Sequence, residues 1–301
     1  MSTVWVLGGH GFIGQEVVKL LKNKYKVITT SQSSLQSPHE GVIHYNIKYE
    51  YNHFRDVLSQ HKIDSILFLS GNAYPANSEH TPFYEIESTY LPFLALTEAV
   101  RLHSTFSRVW FASSVAVYGA NNEPSLGEES ETCPLSFYGL AKLNLEEYVK
   151  YYARVHKLSM GAFRIFSTYG PTLKRQLIYD LVQKMIRNPE LISVYGDGTE
   201  ARDLSFVTDQ AAAICTLVEK VNPNGDIYNV GSGQLYTVNE VIERLVGILK
   251  IKPKIDYIPK RSFDGTTWKA DITKMNTLGF KQKYNLQQGL EQTVSGILKE
   301  S

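Results

Sequence analysis

The sequence predicts an α/β fold, a doubly wound parallel sheet followed by a smaller C-terminal α/β lobe. Three observations predict it. Through about residue 168, short β-branched or aromatic runs alternate with amphipathic stretches, as the strands and covering helices of a parallel sheet do. Three spaced glycines follow the first of these runs and open the first amphipathic stretch. Beyond residue 168 that rhythm breaks down: Gly, Pro and Asn become frequent, helical pieces shorten, and strand-like runs come at irregular spacing.

The elements follow in order. Val4 to Leu7 reads as a strand, and residues 12–22 carry Phe12, Ile13, Val17, Val18, Leu20 and Leu21 at helical spacing. Lys26 to Thr30, Val42 to Ile47 and Ser65 to Ser70 read as the next three strands, the last preceded by a helix from His53 to His61. Residues 83–102 form a long helix interrupted at most locally by Pro92. Val109 to Ser113 is a fifth strand, Tyr138 to His156 another long helix, and Gly161 to Phe166 a sixth strand. Ile192 to Tyr195 and Ile227 to Val230 fall in the smaller lobe, packed over the carboxyl ends of the sheet, where ligands of open α/β sheets bind. The expected division is 1–168 and 169–301, with the two parts folding as one unit.

The chain of 301 residues, 43% apolar and 20% charged, is long enough to bury a core without disulfides. A formal charge of +1 argues against general binding to nucleic acid or a membrane surface, since counterion release has little to act on. Cys133 and Cys215 lie far apart, belong to no CxxC pair and suit a reducing compartment. No apolar run approaches the roughly 18–20 residues of a membrane span. The opening Met-Ser-Thr-Val-Trp-Val-Leu reads as a first strand and not a signal peptide, so a cytoplasmic location is expected.

Gly8-Gly9-His10-Gly11-Phe12-Ile13-Gly14 directly follows the first strand and opens a helix. Glycines at 8, 11 and 14 allow a tight turn, close approach of a pyrophosphate, and packing of helix on sheet. The helix N-terminus then offers free N–H groups to the phosphates. This is the signature of a Rossmann-type dinucleotide site, in which His10 reads as a solvent-facing spacer. About 20 residues on, an NAD site usually carries an Asp or Glu for the ribose 2′-hydroxyl. Here the segment is Thr29-Thr30-Ser31-Gln32-Ser33-Ser34. Hydroxyls accept a 2′-phosphate without the repulsion a carboxylate would create, which leans toward NADP, although neither Arg nor Lys is present there.

Tyr138 and Lys142 stand at i and i+4, on one face of a helix. A free phenol, with a pKa near 10, is a poor base at neutral pH. A neighbouring ammonium favours the phenolate and would let Tyr138 exchange a proton with a sugar hydroxyl while hydride moves. Ser113-Ser114 ends the fifth strand, where a hydroxyl either caps the strand or bonds the reacting oxygen.

On these residues the sequence resembles the extended short-chain dehydrogenase/reductase superfamily, and within it the NAD(P)-dependent nucleotide-sugar epimerase/dehydratase group. The resemblance spans nearly the whole chain. It runs through Phe111-Ala112-Ser113-Ser114-Val115-Ala116-Val117-Tyr118-Gly119, Arg164-Ile165-Phe166-Ser167-Thr168-Tyr169-Gly170-Pro171, the segment from Gly196 to Asp209, Tyr228-Asn229-Val230-Gly231-Ser232-Gly233 and Asp271-Ile272-Thr273-Lys274. It implies that Ser114 orients the substrate oxygen, Tyr138 is the acid/base, and Lys142 also holds the nicotinamide ribose. It implies coenzyme contacts at Gly8, Gly11, Phe12, Ile13, Gly14, Ser31, Tyr138 and Lys142. Further contacts are implied at Asn46, Ile47, Leu69, Ser70, Gly71 and Phe166. Ser167, Arg202 and Arg261 are implied on the nucleotide-diphosphate sugar, the two arginines on its diphosphate, for which a guanidinium fork is well suited. A homodimer paired through residues 83–102 and 138–156 is implied as well.

Departures from the family pattern narrow the reaction. Members that eliminate water across C5–C6 carry Asp-Glu just after the catalytic hydroxyl residue, whereas Val115 and Ala116 stand here and cannot move a proton. Members resembling GDP-fucose synthase place a cysteine at the Ala116 position. Hydride transfer at C4 remains. The acid-free second strand favours a 4-ketosugar reductase using NADPH, the alternative being a 4-epimerase that keeps NAD+ bound. Ser167 replaces the Asn of many 4-epimerases. Lys174-Arg175 either touches the nucleotide phosphates or forms a solvated basic loop. A non-catalytic NADP-binding regulatory protein is the reading from another class, and the intact Ser114, Tyr138 and Lys142 set argues against it. No metal site is expected.

Overall fold

The computed structural model describes residues 1–32, 39–72, 75–121, 123–259 and 267–300. The first half supplies β1 (Thr3–Leu7), β2 (Lys26–Ser31), β3 (Ile43–Asn46), β4 (Ser65–Phe68), β5 (Arg108–Ser114) and β6 (Met160–Ile165). The second supplies β7 (Ser167–Tyr169), β8 (Leu191–Tyr195), β9 (Ala201–Phe206), β10 (Asp226–Val230), β11 (Leu235–Thr237) and β12 (Lys254–Ile258). The main sheet has seven strands among the described residues, all parallel, in the order β10-β6-β5-β4-β1-β2-β3. This is the doubly wound Rossmann-type sheet expected from the sequence. Every residue of β1 is buried, because helices cover both faces, and this is why the strand shows no polar alternation.

The helices are α1 (Phe12–Leu21), α2 (Tyr51–Gln60), α3 (Pro75–His80), α4 (Pro82–Glu85), α5 (Leu91–His103), α6 (Phe137–His156), α7 (Gln176–Arg187), α8 (Val207–Lys220), α9 (Val238–Leu249), α10 (Thr273–Thr277) and α11 (Leu286–Glu300). One face of the sheet packs Trp5, Phe68 and Phe111 against Phe54 of α2, Phe93 of α5 and Leu145 of α6. The other packs Val6, Trp110 and Phe163 against Val17 of α1 and Ile214 of α8. A third cluster, with Val182, Val194, Phe206, Ile242 and Leu290, is the core of the smaller lobe. No helix among the described residues is long and apolar enough to cross a membrane.

Two differences from the sequence reading have physical causes. The Ile227–Val230 run, expected in the smaller lobe, lies in β10 and pairs with β6, Ile227 opposite Ala162 and Val230 opposite Ile165. Helix α8 packs against α1. The alternation of strand and helix thus continues past residue 168, and the inserted β7–β9 and α7 obscure it. The helix expected over 83–102 is broken by a π-helical turn at Ile86–Tyr90. Pro92 lies in the first turn of α5. It lacks the N–H an unbroken α-helix would direct to the carbonyl of Ser88, and the helix widens just before it.

Candidate active site

The glycine turn forms a cradle that only glycine can build. Gly8 has φ +83°, and a Cβ there would lie 2.9 Å from the backbone nitrogen of Ser70. A Cβ on Gly14 would lie within 2.1 Å of the Gly8 carbonyl oxygen. Gly11 caps α1 with no side-chain hydrogen bond, which leaves the first-turn N–H groups at the carboxyl end of β1 available to a pyrophosphate. The residues present therefore fit a dinucleotide. His10 departs from the expected spacer: its ring stacks on His44 at 4.3 Å, and both ring nitrogens are buried without a hydrogen-bond partner. Burial, with His44 and His39 nearby, lowers its pKa, so the neutral ring is favoured.

A cavity of about 1310 Å³ opens at the carboxyl ends of β1, β4, β5 and β6. Its wall includes the expected coenzyme residues Phe12, Ile13, Leu69, Ser70, Gly71 and Phe166, together with Ser114, Tyr138, Lys142, Ser167 and Arg202. Ser31, Asn46 and Ile47 lie off this wall at the ends of β2 and β3. There the Ser31 hydroxyl donates to Asn46 Oδ1 at 3.0 Å and the Ile47 N–H to the Ser31 carbonyl at 3.0 Å. Arg261, Ser33 and Ser34 lie outside the described residues. Arg175, Lys184 and Arg187 also line the cavity, with Asp180 and Glu200 among the acidic residues.

Ser114 has both roles open to it. Its hydroxyl accepts the N–H of Ala116 at 3.2 Å, capping a 3-10 turn, and lies close enough to the Tyr138 phenol to favour its ionised form. Ser136 caps α6 by accepting the Gly139 N–H at 3.0 Å, while Ser78 and Glu79 accept the N–H groups of Tyr138 and Phe137 at 3.1 and 2.7 Å. The phenol is therefore presented from a fully bonded helix start. Lys142 Nζ donates to the Ala112 carbonyl at 3.1 Å and lies 5.6 Å from the centre of the Tyr138 ring.

Burial pushes the Tyr138 phenol up to about 12, opposed by the Ser114 hydrogen bond and Arg175 and reinforced by Glu85. Burial also pushes Lys142 down to about 8, against the pull of Glu85. The sequence reading expected the lysine to bring the phenol down. Burial outweighs it, and the ammonium lies over the ring face, bonded to a carbonyl.

Sequence reasoning missed the supports of this pair. Glu85 and Asn72 are buried, and Asn72 Nδ2 donates to Glu85 Oε2 at 2.8 Å. Glu146, one turn beyond Lys142, accepts two side-chain N–H bonds from Arg164, from Nη2 at 2.7 Å and Nε at 3.0 Å, and also the Ser113 hydroxyl. Only the acidic residues themselves were signals, and neither could be paired from spacing.

The model for the NAD dependent epimerase/dehydratase family matches residues 4–231. The chain belongs to this family. Among its relatives is a putative UDP-glucose 4-epimerase of Methanocaldococcus jannaschii, 28% identical over 97% of each chain. The UDP-glucose 4-epimerase of Thermotoga maritima, solved with UDP-glucose, superposes with a TM-score of 0.90 at 27% identity over 99% of both chains. MoeE5 in complex with UDP-glucuronic acid and NAD gives a TM-score of 0.87 at 28% identity over the full length of both. In this family the coenzyme is NAD-type, and the sequence-based lean toward NADP finds no support among these relatives.

Proposed function

We propose that this chain is a nucleotide-sugar 4-epimerase acting on UDP-linked sugars with NAD+ retained as coenzyme. The observation that carries the reading is the make-up of the cavity wall at the end of β5: Tyr138 meets Ser114 and Lys142 there, with Val115 and Ala116 beside them. One proton-transfer group suffices for redox chemistry at one carbon, and elimination needs more. The relatives named as UDP-glucose 4-epimerases support it over the 4-ketosugar reductase favoured from sequence alone. The specific observation on the reductase side is the acid-free end of β2, where Ser31 meets Asn46.

The steps assigned to this chain are few. Tyr138 takes the proton of the C4 hydroxyl as the C4 hydrogen leaves with its electron pair, and returns it once the ketone has turned over. Ser114 bonds the same oxygen in both directions. Lys142 as an ammonium stabilises the phenolate and holds the coenzyme ribose. A dinucleotide held by the glycine turn and Lys142 would supply the hydride acceptor and donor at C4. Arg202 and the other cavity arginines suit the diphosphate, Ser167 is assigned to the sugar, and the coenzyme residues named from the sequence hold the dinucleotide.

The test is to denature the purified enzyme, identify the dinucleotide released, and assay interconversion of UDP-glucose, UDP-N-acetylglucosamine and UDP-glucuronate with their 4-epimers. NAD+ released near one equivalent, with one pair interconverted, is expected. A site that comes out empty, binds NADPH and reduces a 4-ketosugar without epimerising would overturn it.

A homodimer through α5 and α6 accompanies this proposal. Their outer faces leave Leu91, Leu102, Tyr151 and Val155 about half exposed in the isolated chain. Leu91→Glu combined with Tyr151→Glu is expected to sediment as a monomer where the unmodified chain sediments as a dimer. Equal sedimentation of the two as dimers would place the interface elsewhere.

A further inference from the structure

We propose that Asp203 is a positioning residue that holds Arg202 in place for the substrate diphosphate, by pinning strand β9 to the turn that leaves the seven-stranded sheet. The inference rests on the diphosphate role given to Arg202 above and concerns a carboxylate that takes no part in the steps assigned to this chain.

Strand β9 forms part of the cavity wall, which Arg202 and Leu204 line and Asp203 does not. Successive side chains of a strand point to opposite faces, so the Asp203 carboxylate stands behind the wall that carries the guanidinium. It is 2% exposed and accepts four hydrogen bonds among the described residues. Oδ1 accepts the backbone N–H of Ser232 at 2.6 Å and the Ser232 hydroxyl at 2.7 Å. Oδ2 accepts the N–H of Gly233 at 2.9 Å and that of Ala270 at 3.0 Å.

Three segments meet at these bonds. Strand β10 of the seven-stranded sheet ends at Val230, and Ser232 and Gly233 carry the chain from it to β11. Strand β11 pairs with β9, placing Tyr236 opposite Arg202, and β7 flanks β9 on its other side with Ser167 opposite Leu204. Ala270 belongs to the third segment, which is fastened to Leu126: the Leu126 N–H donates to the Lys269 carbonyl at 2.8 Å, and the Asp271 N–H to the Leu126 carbonyl at 2.9 Å. Asp203 thus ties the small sheet that carries Arg202 to the end of β10 and to the Ala270 segment.

These four donors are all neutral, and such convergence is what lets a carboxylate stay buried. An amide of the same shape cannot serve them. Whichever end carries the NH2, two donors lose their acceptor. The guanidinium itself is kept, so the loss falls on where Arg202 is held and not on its charge.

The test measures UDP binding by calorimetry to the coenzyme-loaded protein as the unmodified chain, Asp203→Asn, Arg202→Ala and the double variant. Asp203→Ser replaces Asp203→Asn if the amide is poorly tolerated. UDP is expected to bind about tenfold more weakly to Asp203→Asn, with coenzyme content unchanged. In the Arg202→Ala background the same substitution is expected to weaken binding further by less than about twofold, because residues that act through one another are not additive. An unchanged UDP affinity in Asp203→Asn would overturn the proposal. So would a full additional loss in the double variant, or coenzyme lost from both Asp203 variants, since a merely structural role acts whether or not the guanidinium is present. Equal UDP binding by Arg202→Ala and the unmodified chain would instead sink the diphosphate assignment, and this inference with it.

Discussion

Tyr138→Phe is expected to lower kcat roughly 10²- to 10⁴-fold, the usual worth of a positioned proton-transfer group, while coenzyme affinity stays within about twofold of the original. The phenylalanine ring keeps the packing beneath Lys142 Nζ, 5.6 Å from its centre, and loses only the hydroxyl beside Ser114. The glycine cradle and Lys142 are untouched. Steady-state turnover together with fluorescence titration of the dinucleotide separates the two quantities. A kcat within tenfold of the original would remove Tyr138 from the chemistry.

The second large effect concerns stability. Arg164→Leu takes the guanidinium from the fully buried Glu146 carboxylate, which keeps the Ser113 hydroxyl as a donor. Breaking one side of such a pair costs about 3–5 kcal/mol, whereas replacing both partners by apolar residues of similar size is often close to neutral. Urea unfolding should therefore show Arg164→Leu strongly destabilised, and Arg164→Leu with Glu146→Leu recovering much of the loss. A single-variant cost below about 1 kcal/mol would mean that water or another group replaces the guanidinium. Turnover should fall in the single variant as well. Ser113 adjoins Ser114 on β5, and Glu146 lies one turn from Lys142 on α6, so the pair sets the distance between strand end and helix.

The legible parts of this molecule were those whose chemistry is written in local spacing. Gly8, Gly11 and Gly14 demand their conformations within one turn, and Tyr138 and Lys142 share a helix face at any tertiary arrangement. Their supports were not legible, because Asn72 and Glu85 stand in separate segments and bond only after packing. The same holds for Ser113, Glu146 and Arg164. His10 had the spacing of a solvent-facing residue, and only the fold brings His44 onto its ring. The coenzyme lean, which finds no support among the relatives, rested on a thin signal: the lack of an acid at Ser31 removes one ribose contact of NAD without supplying an Arg or Lys for a 2′-phosphate. Ile227 to Val230 was recognised as a strand, but periodicity carries no information about which sheet a strand joins.

That last placement governs how the chain must be made. Strand β6 has β5 on one side and waits for β10, some sixty residues later, on the other. During synthesis the nascent sheet therefore carries a bare hydrogen-bonding edge, and α1 an uncovered apolar face, until α8 and β10 have left the ribosome. A ribosome pausing within the inserted β7–β9 segment would prolong that exposure, making it the interval in which this chain is most open to aggregation or to chaperone capture.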